Sequence, residues 1–140
     1  MADYVLDKGF PVLATYNSSS VNGVTPYRAV KWSSTGIDLQ TASTATTGTL
    51  GVVQEQIDAT KVATGKVTAN VRLMGVTAVY VTTATSLAIG IRVMAGASGG
   101  VLLATTTNEV LGVIVGTSST AAIAAGDIIY ILLTPGVAMV

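Results

Sequence analysis

The chain of 140 residues contains no cysteine and no histidine. Without cysteine there are no disulfides and no thiol nucleophiles, and without both residue types the usual zinc sites are excluded. The absence of histidine also removes the imidazole general base and the Ser-His-Asp triad. We therefore expect a protein that binds no cofactor and no metal and is not an enzyme.

Charge is scarce as well. Only 10% of the residues are charged, against roughly 25% in a typical soluble domain, and the formal net charge is zero. The seven basic residues are scattered, so we expect no nucleic-acid partner. Because a net charge near zero does little to keep molecules apart, the composition favours a protein that works in an assembly. The alternative is a neutral monomer with a surface of serine and threonine.

Long hydrophobic runs are absent, although half of the residues are hydrophobic. A membrane-spanning helix needs about 20 predominantly apolar residues. The longest apolar segments, Val110–Val115 and Ile128–Leu133, have only the length of a strand. Met1–Lys8 lacks the basic and then apolar order of a signal peptide. We expect a soluble protein that is made in the cytoplasm and has no membrane partner.

The most informative feature that is present is a repeat. Leu50–Val53 returns as Leu111–Ile114, with a shift of 112 − 51 = 61 residues between the two glycines. The same shift relates Ala63–Val67 to Ala124–Ile128 and Gly75-Val76 to Gly136-Val137. Glycine usually marks backbone with positive φ or close packing, so the matches predict two copies of one turn-and-strand unit.

Short β-rich segments follow one another along the chain at a spacing of roughly 8–12 residues, which is typical of an all-β barrel or sandwich. We predict a small β-barrel or sandwich over 26–140, built from pseudo-repeats at about 27–76 and 88–137. In Val67–Leu73 every second residue is apolar, the pattern of a half-buried strand. Ile128–Leu133 is apolar on both faces, which predicts a strand that is covered on both sides.

Residues 1–25 are predicted to form an extended N-terminal arm, because proline and a Ser/Asn-rich stretch oppose regular structure there. The arm carries the apolar side chains Tyr4, Phe10 and Tyr16. They either fold back onto the core or lie on a neighbouring molecule. The chain end is apolar too, and Met139 either fills the barrel or lies in a subunit contact.

The residues of types that carry out chemistry in enzymes have simpler explanations here. Glu55 and Asp58 are the closest interior pair of carboxylates, but they lie in a segment that predicts a solvated turn with one helical turn at most. Asp127 matches Lys66 in the other copy, and opposite charges argue against a shared catalytic role. Gly96–Gly100 is glycine-rich but precedes a strand, so it predicts a hairpin turn and not a phosphate loop.

Trp32 is the only tryptophan, and Arg28 and Lys31 lie close to it in sequence. An aromatic side chain in this setting stacks on a sugar or a base, or it anchors a core or an interface. Both possibilities stay open from the sequence alone.

The repeated pattern resembles a known family. Its parts are Leu50–Val53, the Gly90–Val93 segment before a Gly-Gly hairpin, Leu111–Ile114, and the Ala-Gly-Asp and Pro-Gly within Ala124–Gly136. Over roughly residues 27–140 the chain is similar to the small capsid decoration (cement) proteins of tailed bacteriophages, in the group built on a duplicated β-barrel unit. The first 25 residues match no pattern of that family.

The resemblance implies a structural virion protein that binds the outer surface of the mature capsid and bridges its capsomers. The major capsid protein and further copies of the chain, in a homotrimer, are the implied partners. On this basis we assign capsid or subunit contacts to an aromatic and apolar set: Tyr4, Phe10, Tyr16, Tyr27, Trp32 and Met139. The alternative is a β-barrel binding module, such as a head fibre base or a carbohydrate-binding domain, that stacks sugars on Tyr27, Trp32 and Tyr80.

Overall fold

The computed structural model describes residues 7–11, 23–33, 36–40, 48–64, 67–105, 108–118 and 120–138, with backbone alone for 7–11 and 135–138. The strands are β1 (Asp7–Pro11), β2 (Ala29–Ser33), β3 (Gly36–Leu39), β4 (Thr49–Val53), β5 (Thr68–Arg72), β6 (Gly75–Tyr80), β7 (Arg92–Ala95), β8 (Val101–Leu103), β9 (Glu109–Thr117) and β10 (Ile128–Ala138). One helical turn, α1 (Ala59–Ala63), precedes β5. The predicted all-β class is confirmed.

Two five-stranded antiparallel sheets curl toward each other as a half-barrel or sandwich. The first sheet has the order β1-β5-β4-β2-β3, and the second has the order β6-β10-β9-β7-β8. If the strands of each sheet are numbered from one to five along the chain, both sheets have the order 1-5-4-2-3. The residue-level repeat over 27–76 and 88–137 is not established by this shared order and stays a prediction.

The first sheet includes a strand from the segment that was predicted to be an arm. β1 pairs antiparallel with β5, and Phe10 lies opposite Ala69 in the register. Residues 7–11 therefore add a strand to the edge of this chain's own sheet, as the first of the two alternatives for the arm requires. Tyr4, Tyr16 and Met139 lie outside the described residues.

The core has two main parts. The first consists of the inner face of the second sheet together with Ala29 and Val52 of the first sheet. The second lies on the other face of the first sheet, where Val24, Ile57 and Val62 cover it. Because Val62 is the buried residue of α1, the predicted helical turn of the 56–64 segment covers the core with a single side chain.

Strand patterns and turns follow the sequence in most places. In β5, Ala69 and Val71 are buried and Thr68 and Asn70 are exposed, so the predicted alternation is confirmed. Residues 96–100 form the predicted hairpin turn, with a short 3₁₀ turn between β7 and β8.

Candidate interaction surface

The outer face of the second sheet is an apolar surface in contact with solvent. Along β10 the inward side chains of Ile129, Ile131 and Leu133 are buried, while Tyr130 and Leu132 are each 42% exposed. The prediction that this strand is covered on both sides is therefore wrong for the isolated chain. The apolar residues alternate inward and outward, but only the inward set has a core to enter.

Neighbouring strands extend this surface. The register pairs four residues side by side across the sheet. Leu132 lies between Val76 of β6 and Val113 of β9, and Val113 is followed by Arg92 of β7 at the end of this row. Val115 and Tyr130 border the row on one side and are 44% and 42% exposed. We call six solvent-facing side chains of β6, β9 and β10 the outer face: Val76, Ala78, Val113, Val115, Tyr130 and Leu132. It contains no charged residue, so its desolvation on binding costs little.

Trp32 is a large exposed apolar side chain on the first sheet, apart from the outer face of the second sheet. It lies near the end of the β2–β3 hairpin, opposite Ile37, and 58% of its surface is exposed. That exposure excludes a core role in this chain and leaves the interface and stacking possibilities. Tryptophan is enriched at protein interfaces, so an exposed Trp32 fits a contact position.

Tyr27 belongs to the joint between the two sheets. Its backbone N–H donates to the carbonyl of Val53 at 2.9 Å, and its carbonyl accepts from the N–H of Tyr80 at 3.0 Å. A φ of +65° at Tyr27 turns the chain so that both bonds form. The assigned contact residue Tyr27 is half-buried in this joint and thus also has a structural role.

Arg28 closes the same joint. Its guanidinium lies over the Tyr80 ring, 3.6 Å from the centroid, and Nη1 donates to the carbonyl of Ser98 at 3.1 Å. The turn that contains Ser98 also bonds to the first sheet, because the Gly99 N–H donates to the Gln40 carbonyl at 2.8 Å. Sequence reasoning missed this joint, since no spacing along the chain relates these residues.

The three aromatic residues of the sugar-binding alternative do not form one platform. Tyr27 lies in the turn before β2, whereas Trp32 lies near the other end of β2, and the three residues from Ala29 to Trp32 alone span about 10 Å of extended chain. One face of the Tyr80 ring already contacts Arg28. Trp32 is therefore separated from the other two.

The carboxylates of the described residues accept hydrogen bonds from nearby backbone. Glu55 accepts from the Asn70 N–H at 2.8 Å, Asp127 from the Ala124 N–H at 2.9 Å, and Glu109 from the Thr49 N–H at 3.3 Å. These bonds hold turns and strand ends. Lys66, the predicted counterpart of Asp127, lies outside the described residues.

Asp58 is the N-cap of α1. It accepts hydrogen bonds from the hydroxyl and the N–H of Thr60, and these bonds, with the charge of Lys61, hold the pKa of the Asp58 carboxyl below its usual range. Glu55 and Asp58 thus lie in a turn, as expected, and not across a cleft. Within the described residues no group of three or more acidic side chains is placed to hold a metal ion.

Within the described part of the chain, no helix has the length and apolar character that a membrane crossing requires. Comparison with known proteins gives no match to a family model, a curated protein or a solved structure.

Proposed function

We propose that this chain is a structural virion protein that binds the outer surface of a mature phage capsid and stabilises it by bridging capsomers. The resemblance of residues 27–140 to capsid decoration proteins supplies the identity of the shell. The chain is not an enzyme in this proposal, and its partners are the major capsid protein and further copies of itself.

The observation that carries the proposal is the outer face of the second sheet, where large uncharged side chains of β6, β9 and β10 are exposed. A monomer rarely leaves several large apolar side chains together on one regular surface unless another protein covers them. Val76 is 48% exposed and Leu132 is 42% exposed, and both are held by strand pairing that leaves them little freedom. Little ordering entropy is lost when such a rigid surface binds.

A decoration protein has to recognise the expanded lattice and not the unexpanded one. Binding to a single state stabilises that state by mass action, by RT ln(1 + [L]/Kd) per site. Contacts that span two capsomers meet this requirement, because their spacing changes when the shell expands. The N-terminal aromatic residues Tyr4 and Tyr16 are our candidates for the capsid side of the contact.

Binding to heads tests the proposal. The chain should co-sediment saturably with expanded heads of the phage that encodes it and not with unexpanded proheads. The double variant Tyr4→Ala/Tyr16→Ala should lose most of this binding and keep the far-UV circular dichroism of the wild type. Deletion through residue 16 is a poorer test, because it removes β1 and leaves the edge of β5 unpaired.

The sugar-binding alternative predicts a different result. Glycans that stack on Trp32 should change its fluorescence, and the chain has only this tryptophan. Saturable fluorescence changes with a glycan, together with no sedimentation on expanded heads, would reject the capsid proposal and favour the alternative.

A further inference from the structure

One of the contacts between the two sheets joins two defined surfaces, one on each sheet. The first is row 1, the line Ala29–Val52–Arg72 across β2, β4 and β5. Ala29 and Val52 are fully buried and belong to the core cluster of the second sheet. The second surface is the hairpin β7–β8, with Ala95 at its turn end in that same cluster.

The turn of the β7–β8 hairpin makes this contact tight. A Cβ built on Gly99 would lie 2.7 Å from the carbonyl oxygen of Ala29 and 3.0 Å from the Cβ of Arg28. The hydrogen bond from Arg28 to the Ser98 carbonyl lies at the same place. The hairpin of one sheet therefore packs against the end of row 1 in the other sheet.

The strand registers identify the matching row in the second sheet. Arg92 pairs with Val113, and Val113 pairs with Leu132, just as Ala29 pairs with Val52 and Val52 with Arg72. We call Arg92–Val113–Leu132 row 2. Row 1 is covered by the second sheet, whereas in row 2 Arg92 and Leu132 are exposed and Val113 is half-buried.

The registers also identify the matching hairpin position. Ala95 pairs with Val101 in β7–β8, and Trp32 pairs with Ile37 in β2–β3, at the same step of each hairpin. Ala95 is 2% exposed, whereas Trp32 is 58% exposed. Each partner in the internal contact thus has a counterpart on the surface, and the two counterparts lie on different sheets.

We propose that a second copy of this chain joins the two exposed counterparts, with Trp32 of one copy packed on row 2 of the next. The contact reproduces between copies the arrangement that already joins the sheets within one copy. Trp32 covers Leu132 and Val113, and the guanidinium of Arg92 meets the tryptophan ring, a favourable cation–π arrangement.

The composition of the two surfaces fits this occupant. Row 2 holds a single charge, that of Arg92, and Trp32 offers a large face that is itself uncharged. The apolar residues on both faces of β10 then have a reason, because the outer set becomes a core between copies. A contact between two different surfaces of the same chain is heterologous, and it generates a ring when the rotation closes.

The first test is the solution mass of purified chain by light scattering, with no heads present. The wild type should form a closed oligomer, and Trp32→Glu and Leu132→Glu should each be a monomer that keeps the far-UV circular dichroism of the wild type. Thr68→Glu is the matched control, since it places the same charge at an exposed strand position outside both surfaces, and it should keep the wild-type mass.

Mixing the two variants tests the head-to-tail geometry. The Leu132→Glu chain keeps Trp32, and the Trp32→Glu chain keeps row 2, so an equimolar mixture should form a dimer with one contact and stop there. A wild-type monomer at high protein concentration would overturn the inference. So would a mixture that stays monomeric, or a Leu132→Glu oligomer of wild-type mass that fails to bind heads, because the outer face would then serve the shell.

The inference names the surface for the self-association that is part of the proposed function, and it rests on that proposal. Its test needs only the isolated chain. Oligomers that do not bind heads would reject the capsid role alone, and monomers that bind heads would reject the contact between copies alone.

Discussion

At the scale of single residues, the matched glycines act through close packing. A Cβ on Gly51 would lie 2.3 Å from the Arg72 carbonyl oxygen, and a Cβ on Gly112 would lie 2.3 Å from the Leu132 carbonyl oxygen. Both glycines lie within a strand, opposite backbone that cannot turn away. The repeated Leu-Gly-Val therefore marks the place where a neighbouring strand passes too near for any side chain.

Replacing Gly112 by alanine tests this explanation. Gly112→Ala should lower the free energy of unfolding by about 1–3 kcal/mol, because the strands must separate to admit the methyl group. The control is Gly116→Ala in the same strand, where the new Cβ would be in ordinary contact, 3.6 Å from Cδ2 of Tyr130. Urea unfolding at one fixed protein concentration measures both, and equal costs would contradict the packing explanation.

The local structure around single residues was predictable where it depends on neighbours in sequence. The turn around Asp58 is an example, since a cap and its helix lie within a few residues of each other. The exposure of Trp32 was not predictable, because it depends on what packs over the β2–β3 hairpin and not on the hairpin itself.

At the scale of elements, the strands and the β7–β8 turn follow from alternation and glycine, whereas the joint between the sheets does not. Arg28 reaches Ser98 across 70 positions of the chain. A strand that is apolar on both faces, such as β10, predicts that both faces are buried. The pattern does not indicate whether the same chain or another molecule buries them. Among the described residues of β10 the inward side chains are buried, while Tyr130 and Leu132 are exposed, and this exposure motivates the proposed contact between copies.

The joint supports a prediction at this scale. Arg28→Ala removes the contact with the Tyr80 ring and the bond to Ser98, and should lower the free energy of unfolding by about 1–3 kcal/mol. Arg28→Lys keeps the charge but loses the planar stack, and should fall between the alanine variant and the wild type.

Amide exchange distinguishes a loosened joint from a general loss of stability. In Arg28→Ala the Gly99 N–H should exchange faster relative to amides in the middle of β10. Uniform acceleration throughout both sheets would contradict the assignment of Arg28 to the joint.

At the scale of the whole molecule, the two sheets have the same strand order but differ in how much of their outer faces is buried. Ala29 and Val52 on the back of the first sheet are buried by the second sheet, whereas Arg92 and Leu132 on the back of the second sheet are exposed. The all-β class followed from the sequence because strand alternation is local. The difference between the two sheets could not, because Val52 is buried and Val113 is half-buried although both are valines in a Leu-Gly-Val sequence, and the difference depends on what packs over them.

The most direct measurement is the stability of expanded heads with and without the chain. Heads that lack the decoration layer should release their DNA at a lower temperature, and added chain should raise that temperature until the sites are full. A release temperature that does not change, when sedimentation shows the chain bound to the heads, would contradict the proposal that this protein stabilises the shell.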